Sequence, residues 1–241
     1  MISIITIVFN ANELFERTIK SIVSQTSKDF EYIVIDGGST DGTVDTIKKY
    51  EEYITFWSSS QDKGISDAFN KGINKSSGNI IGILNAGDLF NSKTIEIVSN
   101  AFNKDVDYLY GNSIIRKERG QIDKTIIPAR VKDFPYEGMP FQHSSLFIRR
   151  EVFSHIGGYN TNFKTAMDFD LLIRIYAADY RGLHVDRVLS TYFRGGMSDE
   201  NYIGGYIEVL CVSLLHNKNY FKILVYFIYG ILRTSVRRFL L

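Results

Sequence analysis

Carboxylates stand at three points of the sequence where an apolar run ends or a helical pattern begins. Asp36 and Asp88 each follow a short apolar run rich in isoleucine, and Asp168 and Asp170 begin a segment whose apolar residues have helical spacing. Carboxylates in such positions can hold a divalent cation against phosphate groups or accept a proton from a reacting hydroxyl. Metal binding and general-base catalysis are therefore the two kinds of chemistry that these positions suggest.

The segment 36–42, which reads Asp-Gly-Gly-Ser-Thr-Asp-Gly, has two interpretations. Its glycines let the backbone approach a ligand, and the helix predicted after it offers free N–H groups to an anion. The segment matches neither the G-x-G-x-x-G dinucleotide pattern nor the phosphate-binding P-loop. The alternative is an ordinary turn between a strand and a helix, with Asp41 as the helix N-cap. The residues alone leave both interpretations open.

The other acidic positions and one histidine have structural alternatives as well. Asp88 can hold a cation at the end of a strand, or it can cap a helix predicted from Ser92. Asp168 and Asp170 lie two residues apart and cannot point the same way on a helix, so one can face a cleft while the other caps the helix. A lone histidine such as His143 is more often structural than a ligand.

Strand and helix patterns alternate through the first half of the chain. Strands are predicted at residues 2–9, 32–35, 55–59 and 80–84. Each is followed by apolar residues at helical spacing, and four strand–helix units in succession predict a mostly parallel sheet with helices on both faces. Because the loops that follow parallel strands share one edge, Asp36 and Asp88 should lie at the same ligand-binding edge of the sheet.

The second half of the chain is less regular. Further strands are predicted at residues 107–111, 145–148 and 183–188, together with a hairpin around 114–127. A helix is predicted to follow Asp168, and from about Asn201 the pattern is helical to the end. The predicted fold class is α/β, with a Rossmann-like central sheet and a C-terminal helical tail.

Composition and charge exclude several classes of protein. Of the 241 residues, 44% are hydrophobic and 23% are charged, which excludes intrinsic disorder and fibrous structure. The 28 basic residues nearly balance the 27 acidic ones, and the net charge of +1 gives no general attraction to nucleic acid. The single cysteine, Cys211, rules out a disulfide framework and fits a reducing compartment, and we expect its apolar surroundings to bury it.

The C-terminal segment combines basic charge with an apolar run. No acidic residue follows Glu208, and the apolar run 223–232 is too short to span a bilayer. A helix lying on a membrane surface would bury the aromatic side chains and leave its bases among anionic head groups. We favour this over a helix packed on the protein or on a partner, because the bases flank the apolar run. The bases are Lys218, Lys222, Arg233, Arg237 and Arg238.

Taken together and in this order, these segments resemble the family-2 inverting glycosyltransferases of the GT-A fold, over residues 2 to about 198. The matching motifs are an aspartate-rich turn at 36–43, a nucleotide-side helix at 62–72, the place of the DxD motif at 84–88, the catalytic-aspartate motif at 167–174 and a loop near the diphosphate at 195–198. The likeness is greatest to bacterial enzymes of exopolysaccharide and O-antigen assembly. The resemblance implies a GT-A domain over residues 1–198, and the charge and apolar pattern of 199–241 predict a helical, basic segment that associates with the membrane.

The resemblance also implies a role for each candidate residue. Asp168 would be the catalytic base, and Asp88 would hold a divalent metal, Mn²⁺ or Mg²⁺, on the donor diphosphate. The implied nucleotide-binding residues are Asp36, Gly37, Asp62 and Asn85. Gly37 stands where the family usually has a second aspartate that contacts the nucleobase. The DxD place reads Asn-Ala-Gly-Asp, so a single carboxylate of the usual three remains.

The implied activity is transfer of one hexosyl or N-acetylhexosaminyl group from a nucleotide-diphosphate sugar, taken to be a UDP-sugar, to an acceptor hydroxyl with inversion. The acceptor would be a saccharide or a lipid-linked saccharide, and the enzyme would be cytoplasmic and peripheral on the inner face of the membrane. One alternative is a sugar-phosphate nucleotidyltransferase, which needs a glycine-rich basic loop after the first strand where this chain has Asn-Ala-Asn-Glu at 10–13. The other is a non-catalytic nucleotide- or sugar-binding module.

Overall fold

The structure, a computed structural model, describes residues 1–116, 122–128, 139–193, 202–217 and 219–239. The nine strands within these residues are β1 Ile2–Val8, β2 Phe30–Asp36, β3 Phe56–Ser59, β4 Ile80–Ile83, β5 Leu89–Phe90, β6 Tyr108–Arg116, β7 Ile122–Ile126, β8 Leu146–Arg149 and β9 Gly182–Phe193. The helices described are α1 Asn12–Val23, α2 Thr43–Lys49, α3 Ile65–Lys75, α4 Thr94–Ala101, α5 Arg150–Ile156, α6 Met167–Ala177, α7 Tyr202–His216 and α8 Tyr220–Phe239. Short 3₁₀ turns lie at Glu51–Tyr53 and His143–Ser145.

The strands form one sheet in the order β3-β2-β1-β4-β8-β6-β9-β5, with β7 paired to β6. Strands β3, β2, β1 and β4 are mutually parallel, β8 is antiparallel to both of its neighbours, and β9 is parallel to β6. The predicted mostly parallel α/β sheet is confirmed. The hairpin predicted around 114–127 is also present, because β6 and β7 pair antiparallel.

Two apolar cores lie on opposite faces of this sheet, as alternate residues of a twice-buried strand require. Ile4 of β1 contributes to the core that α1, α2 and α4 cover, whereas Ile5 contributes to the core that α3, α5, α6 and α7 cover. Helices therefore lie on both faces, as predicted. Gly82 of β4 has no room for a side chain, because a Cβ there would lie 2.4 Å from the ring of Phe147 on β8.

Some element boundaries differ from the sequence prediction. The last strand, β9, runs over 12 residues because it pairs along the whole length of β6, a tertiary contact that no local pattern reveals. The two-residue strand β5 was not predicted, and α4 begins at Thr94 rather than near Ser92. Cys211 is exposed, contrary to expectation, because Val212 and Ser213 are the residues of α7 that face the interior.

The C-terminal residues form two helices rather than one. Helix α7 packs on α6 and buries Val212 in the core. Helix α8 packs on α7, burying Ile223 and placing Gly230 against the ring of Tyr206, while several large apolar side chains of α8, among them Phe221, stay exposed. Neither these two nor any other helix of the described residues is long and apolar enough to cross a membrane.

Candidate functional site

The residues singled out from the sequence lie around the carboxyl ends of β1, β2 and β4, which are neighbours in the sheet. The backbone N–H of Gly37 donates to the carbonyl of Val8 over 2.9 Å, and the N–H of Ala86 donates to the carbonyl of Ile7 over 3.3 Å. The turn after β2 and the turn after β4 therefore flank the end of β1 on its two sides. Gly37 and Asn85 lie in these two turns.

Asp36 is fully buried, and its carboxylate organises the turn that follows β2. It accepts hydrogen bonds from the backbone N–H of Gly38 over 3.1 Å, from the N–H of Ser39 over 2.9 Å and from the hydroxyl of Ser59 over 2.5 Å. These bonds hold the glycine-rich turn in a fixed shape. Asp36 therefore positions the backbone of the turn.

Asp41 lies one residue before the N-cap of α2, so the prediction that it is the N-cap is wrong, although its carboxylate does bind the start of the helix. Its carboxylate accepts hydrogen bonds from the N–H of Thr43 over 3.0 Å and from the N–H of Asn12 over 3.0 Å. These bonds lower its pKa, and the bond from the Thr43 hydroxyl has the largest effect. The N-cap position of the helix is Gly42, at a φ of 94° that favours glycine.

Gly37, Asp62 and Phe9 meet beside this turn. A Cβ on Gly37 would lie 2.8 Å from Oδ2 of Asp62 and 3.2 Å from Cδ2 of Phe9. The Phe9 ring is 62% exposed although it ends a buried strand. Phe9 was missed in the sequence, where it continues an apolar run; the signal that could have found it is an aromatic residue at the ligand-binding end of a strand.

Asp88 is buried in the turn between β4 and β5. Removal from water raises its pKa to about 7, and this effect is partly offset by hydrogen bonds from the Ser144 hydroxyl and the Phe193 backbone. Asp88 does not cap α4, since Lys93 holds that N-cap position without a side-chain bond. The alternative role that the sequence left open for Asp88 is therefore excluded.

Asn85, three residues before Asp88 in the same turn, has a side-chain oxygen without a partner. Its Oδ1 atom is buried and accepts no hydrogen bond from the described residues, whereas most buried polar atoms are paired. An amide oxygen and a carboxylate are the kind of ligands that Mg²⁺ and Mn²⁺ prefer, so the two side chains fit a divalent cation. Among the described residues no group of three or more His, Cys, Asp or Glu side chains gathers at one point.

Asp168 lies in the first turn of α6 and is partly accessible to solvent. The surrounding protein atoms desolvate its carboxylate and raise its pKa to about 6, although the N–H of Phe169 donates to Oδ1 over 2.8 Å and lowers the pKa in part. A carboxylate that is both accessible and more basic than usual suits proton abstraction near neutral pH.

Asp170 is engaged elsewhere and does not cap α6. Its buried carboxylate forms a salt bridge with Arg174 over 2.8 Å and contacts Nε2 of His216 over 3.0 Å. Arg174 also donates to the carbonyls of Ile156 and Gly158, each over 2.8 Å. The arginine therefore braces the loop that precedes α6, and Asp168 is the carboxylate of the pair that remains available.

A short turn connects the surroundings of Asp88 with those of Asp168. Ser144 bonds to Asp88, while the adjacent His143 lies 2.7 Å from the hydroxyl of Tyr159, whose own pKa is raised by burial and then by the charge of Asp168. Burial lowers the pKa of His143 to about 4, so this histidine is neutral at physiological pH. The turn at His143–Ser145 therefore contacts Asp88 through Ser144, and it contacts Tyr159, which lies within the influence of Asp168, through His143.

Glu208, on α7, is a residue that sequence analysis missed and that binds the segment before α6. Its carboxylate accepts hydrogen bonds from the backbone N–H groups of Lys164, Thr165 and Ala166 over 2.7 to 3.0 Å. Desolvation opposes ionisation of Glu208, but these bonds outweigh it and lower its pKa. The sequence signal that could have found it is an isolated acidic residue in an apolar helical segment.

One predicted feature, the loop at 195–198, lies outside the described residues. The sequence profile of Glycosyl transferase family 2 matches residues 3–163, which is more than half of the chain. The chain belongs to glycosyl transferase family 2.

Two relatives of this chain come from mycobacteria. The family-2 chain is 31% identical over 183 residues to an uncharacterized glycosyltransferase of Mycobacterium tuberculosis, covering 72% of this chain and 68% of that protein. It is 29% identical over 216 residues to the PGL/p-HBAD biosynthesis glycosyltransferase of Mycobacterium bovis, covering 83% and 79%. The protein is accordingly a glycosyltransferase, and the nucleotidyltransferase alternative is set aside.

Solved structures share the fold of this family-2 glycosyltransferase. S. aureus TarS in complex with UDP-GlcNAc aligns with a TM-score of 0.69 at 15% identity, covering 91% of this chain and 68% of that one. A mannosyltransferase from Pyrobaculum calidifontis, in complex with GDP-Man and Mn²⁺, aligns with a TM-score of 0.68 at 18% identity, covering 90% and 65%. The GT-A fold expected from the sequence is confirmed.

Proposed function

We propose that this glycosyltransferase moves one hexosyl or N-acetylhexosaminyl group from a UDP-sugar to an acceptor hydroxyl by a single displacement that inverts the anomeric configuration. The observation that carries the proposal is Asp168, a partly exposed residue in the first turn of α6 whose carboxylate has a pKa raised to about 6 by desolvation. Family membership supports the class of reaction. The match with the family profile ends at residue 163, so the role of Asp168 rests on its surroundings.

In the proposed reaction, Asp168 accepts the proton of the acceptor hydroxyl as that oxygen bonds to the anomeric carbon. The bond between this carbon and the diphosphate oxygen breaks on the opposite face, and the nucleoside diphosphate leaves with the electron pair. Because attack and departure occur on opposite faces, the configuration inverts. The raised pKa makes Asp168 a stronger base than a solvated aspartate while leaving it mostly ionised at pH 7.

The donor nucleotide would lie along the ends of β1 and β2. Asp36 would act by holding the turn at 37–39, Gly37 by allowing close approach, Asp62 by facing the nucleoside, and Phe9 by offering an exposed ring for stacking. TarS with UDP-GlcNAc and the mannosyltransferase with GDP-Man support a nucleotide-sugar donor for a chain of this fold. Asn85 would complete the nucleotide side from the turn after β4.

Asp88 and the unpaired Oδ1 of Asn85 would hold a divalent cation, Mn²⁺ or Mg²⁺. Such a cation, when bound, neutralises charge on a diphosphate leaving group. The chain itself keeps Asp88 in place through the Ser144 hydroxyl and the Phe193 backbone. The Mn²⁺ in the Pyrobaculum calidifontis structure supports a divalent metal for this fold.

The acceptor would be a saccharide, and in particular a lipid-linked one of exopolysaccharide or O-antigen type. We assign residues 1–198 to the catalytic domain and 199–241 to a helical C-terminal segment, whose last helix, α8, binds the cytoplasmic face of the cell membrane. Exposed apolar side chains on α8, such as Phe221 at 81% and Tyr220 at 62%, support a lipid-facing role, as does the lack of any acid among the bases there.

Hydrolysis of a nucleotide-sugar panel tests the proposed function. We expect slow, metal-dependent hydrolysis of one UDP-sugar in the presence of Mn²⁺ or Mg²⁺. Most of the other nucleotide sugars should not be hydrolysed. Stereochemistry is read by NMR of the anomeric proton during transfer to an acceptor. Binding of nucleotide sugars without hydrolysis or transfer would favour a non-catalytic binding module instead.

A further inference from the structure

Gly37 is a glycine for reasons of space rather than of backbone conformation. Gly38 and Gly42 in the same turn have φ values of 88° and 94°, which favour glycine, whereas Gly37 is not among the residues with positive φ. Any L-residue could adopt the backbone at position 37. Its Cβ would however lie 2.8 Å from Oδ2 of Asp62, well inside van der Waals contact, so a side chain at 37 and the carboxylate of Asp62 compete for one volume.

The Asp62 carboxylate is fixed at one oxygen and available at the other. Its Oδ1 accepts a hydrogen bond from the N–H of Gly64 over 2.8 Å, which sets the direction of the side chain. Its Oδ2 accepts no hydrogen bond from the part of the chain that the structure describes. This oxygen lies near Phe9, whose ring is exposed. An aromatic face and a free carboxylate oxygen next to each other can stack on a planar heterocycle and accept from its N–H edge.

We propose that the carboxylate of Asp62 recognises the nucleobase, and that position 37 is a glycine because a larger side chain there would displace this carboxylate. This inference rests on the proposed nucleotide-sugar donor. A carboxylate only accepts hydrogen bonds, so it selects bases that present a ring N–H, such as uracil and guanine. It disfavours cytosine and adenine, which present a ring nitrogen acceptor at the corresponding position. The carboxylate that selects the nucleobase therefore comes from the loop before α3 rather than from the turn after β2.

The test is calorimetric titration of UDP, GDP, CDP and ADP in the presence of Mn²⁺, with the wild-type chain and with Asp62→Asn. We expect the wild type to bind UDP or GDP in preference to CDP and ADP. Asp62→Asn should weaken binding of the preferred nucleotide about tenfold to a hundredfold and leave CDP equal or tighter, because an amide can donate to cytosine. A merely structural Asp62 would weaken all four nucleotides by the same factor.

Two further variants keep the inference open to disproof even where Asp62→Asn destabilises the chain. Gly37→Ala retains the carboxylate but displaces it, so it should reduce the preference in the same direction. The double variant Gly37→Asp with Asp62→Ala supplies a carboxylate from the other side of the same volume and should restore the preference. Asp45→Asn, which removes an exposed carboxylate from the nearby helix α2, is the matched control and should change nothing.

The two proposals fail in different ways. If the wild type binds no nucleoside diphosphate and hydrolyses no donor, the proposed function is wrong. If it binds nucleotides but prefers CDP or ADP, or if the ratio of affinities is the same in Asp62→Asn and the wild type, the proposed function stands and the assignment of Asp62 is overturned.

Discussion

Oε2 of Glu208 accepts a hydrogen bond from the backbone N–H of Ala166 over 2.9 Å, joining the C-terminal helical segment to the start of the helix that carries the proposed base. The N–H groups of Lys164 and Thr165 bond to the same carboxylate. Glu208 thus satisfies the backbone donors of the segment that leads into α6 and fixes the position from which that helix starts.

Glu208→Ala should therefore affect both stability and turnover. Leaving the part-buried N–H groups of Thr165 and Ala166 unpaired costs about 1–3 kcal/mol, measured as the free energy of unfolding in urea. Because Asp168 lies in the first turn of the helix that this segment leads into, we expect kcat to fall more than KM rises. Glu151→Ala, an exposed acidic residue in the first turn of α5, is the control and should leave both unchanged. Unaltered stability in Glu208→Ala would show that solvent replaces the carboxylate.

Asp168→Asn preserves the shape of the side chain and removes the proton acceptor. Loss of a general base costs about 10²- to 10⁴-fold in rate, so kcat should fall by that factor while the Kd of the donor changes little. Steady-state transfer assays and calorimetry measure the two quantities. Asp170 cannot replace the base without breaking its contacts with Arg174 and His216. A near wild-type rate in Asp168→Asn would show that another group takes the proton.

The pH dependence of transfer should report the same carboxylate. The pKa of Asp168 is raised to about 6, and the base is active only when deprotonated, so the rate rises with pH through about 6 and levels off above it. Below that point the rate should fall about tenfold per pH unit. His143 stays neutral through this window because its pKa is lowered to about 4. An acid limb near pH 4 would contradict the assignment of a desolvated base.

Asp88→Ala should abolish metal-dependent donor binding, and Asn85→Ala should do much less. The carboxylate carries the charge that holds the cation, whereas the amide adds one neutral oxygen. Calorimetry with the nucleotide in Mn²⁺ and in excess EDTA measures the difference. Equal donor affinity of the wild type in EDTA would mean that other groups hold the phosphates.

Full-length protein should float with anionic liposomes, and high salt should release only part of it. Each Lys or Arg near an anionic surface contributes on the order of 1 kcal/mol, and this part is screened by salt, whereas burial of the apolar face of α8 is not. A chain that ends at Asn217 keeps α7, including Glu208, and should stay folded while losing liposome binding. Reversal of Arg237 and Arg238 to Glu is the control for charge.

The opposite result would show that α8 is a helix packed on the rest of the protein and does not bind the membrane. Ile223 is buried and Gly230 lies against the Tyr206 ring, so α8 does have a side that packs on α7. If the chain ending at Asn217 aggregates and the full-length chain ignores liposomes, α8 is a packed helix and the membrane assignment is wrong.

The fold and the site differed in how far the sequence could predict them. Local alternation of apolar runs and helical spacing was enough for the parallel half of the sheet, since its central strands β1 and β2 are buried on both faces. Contacts between residues far apart in the chain were not predictable. Glu208 bonds to Ala166, and the Asp62 carboxylate lies where a side chain at position 37 would be; both relationships arise only when separate elements come together. The length of β9 likewise depends on β6.

The bond between Glu208 and Ala166 also has a consequence for the order of events during synthesis. Ala166 precedes Glu208 by 42 positions, so a ribosome-bound chain that has extended only as far as α6 lacks the carboxylate that holds the start of that helix. Phe193, whose backbone bonds to Asp88, also follows α6 in the chain. A nascent chain therefore lacks the contacts that hold both proposed functional carboxylates until the residues after α6 have been made.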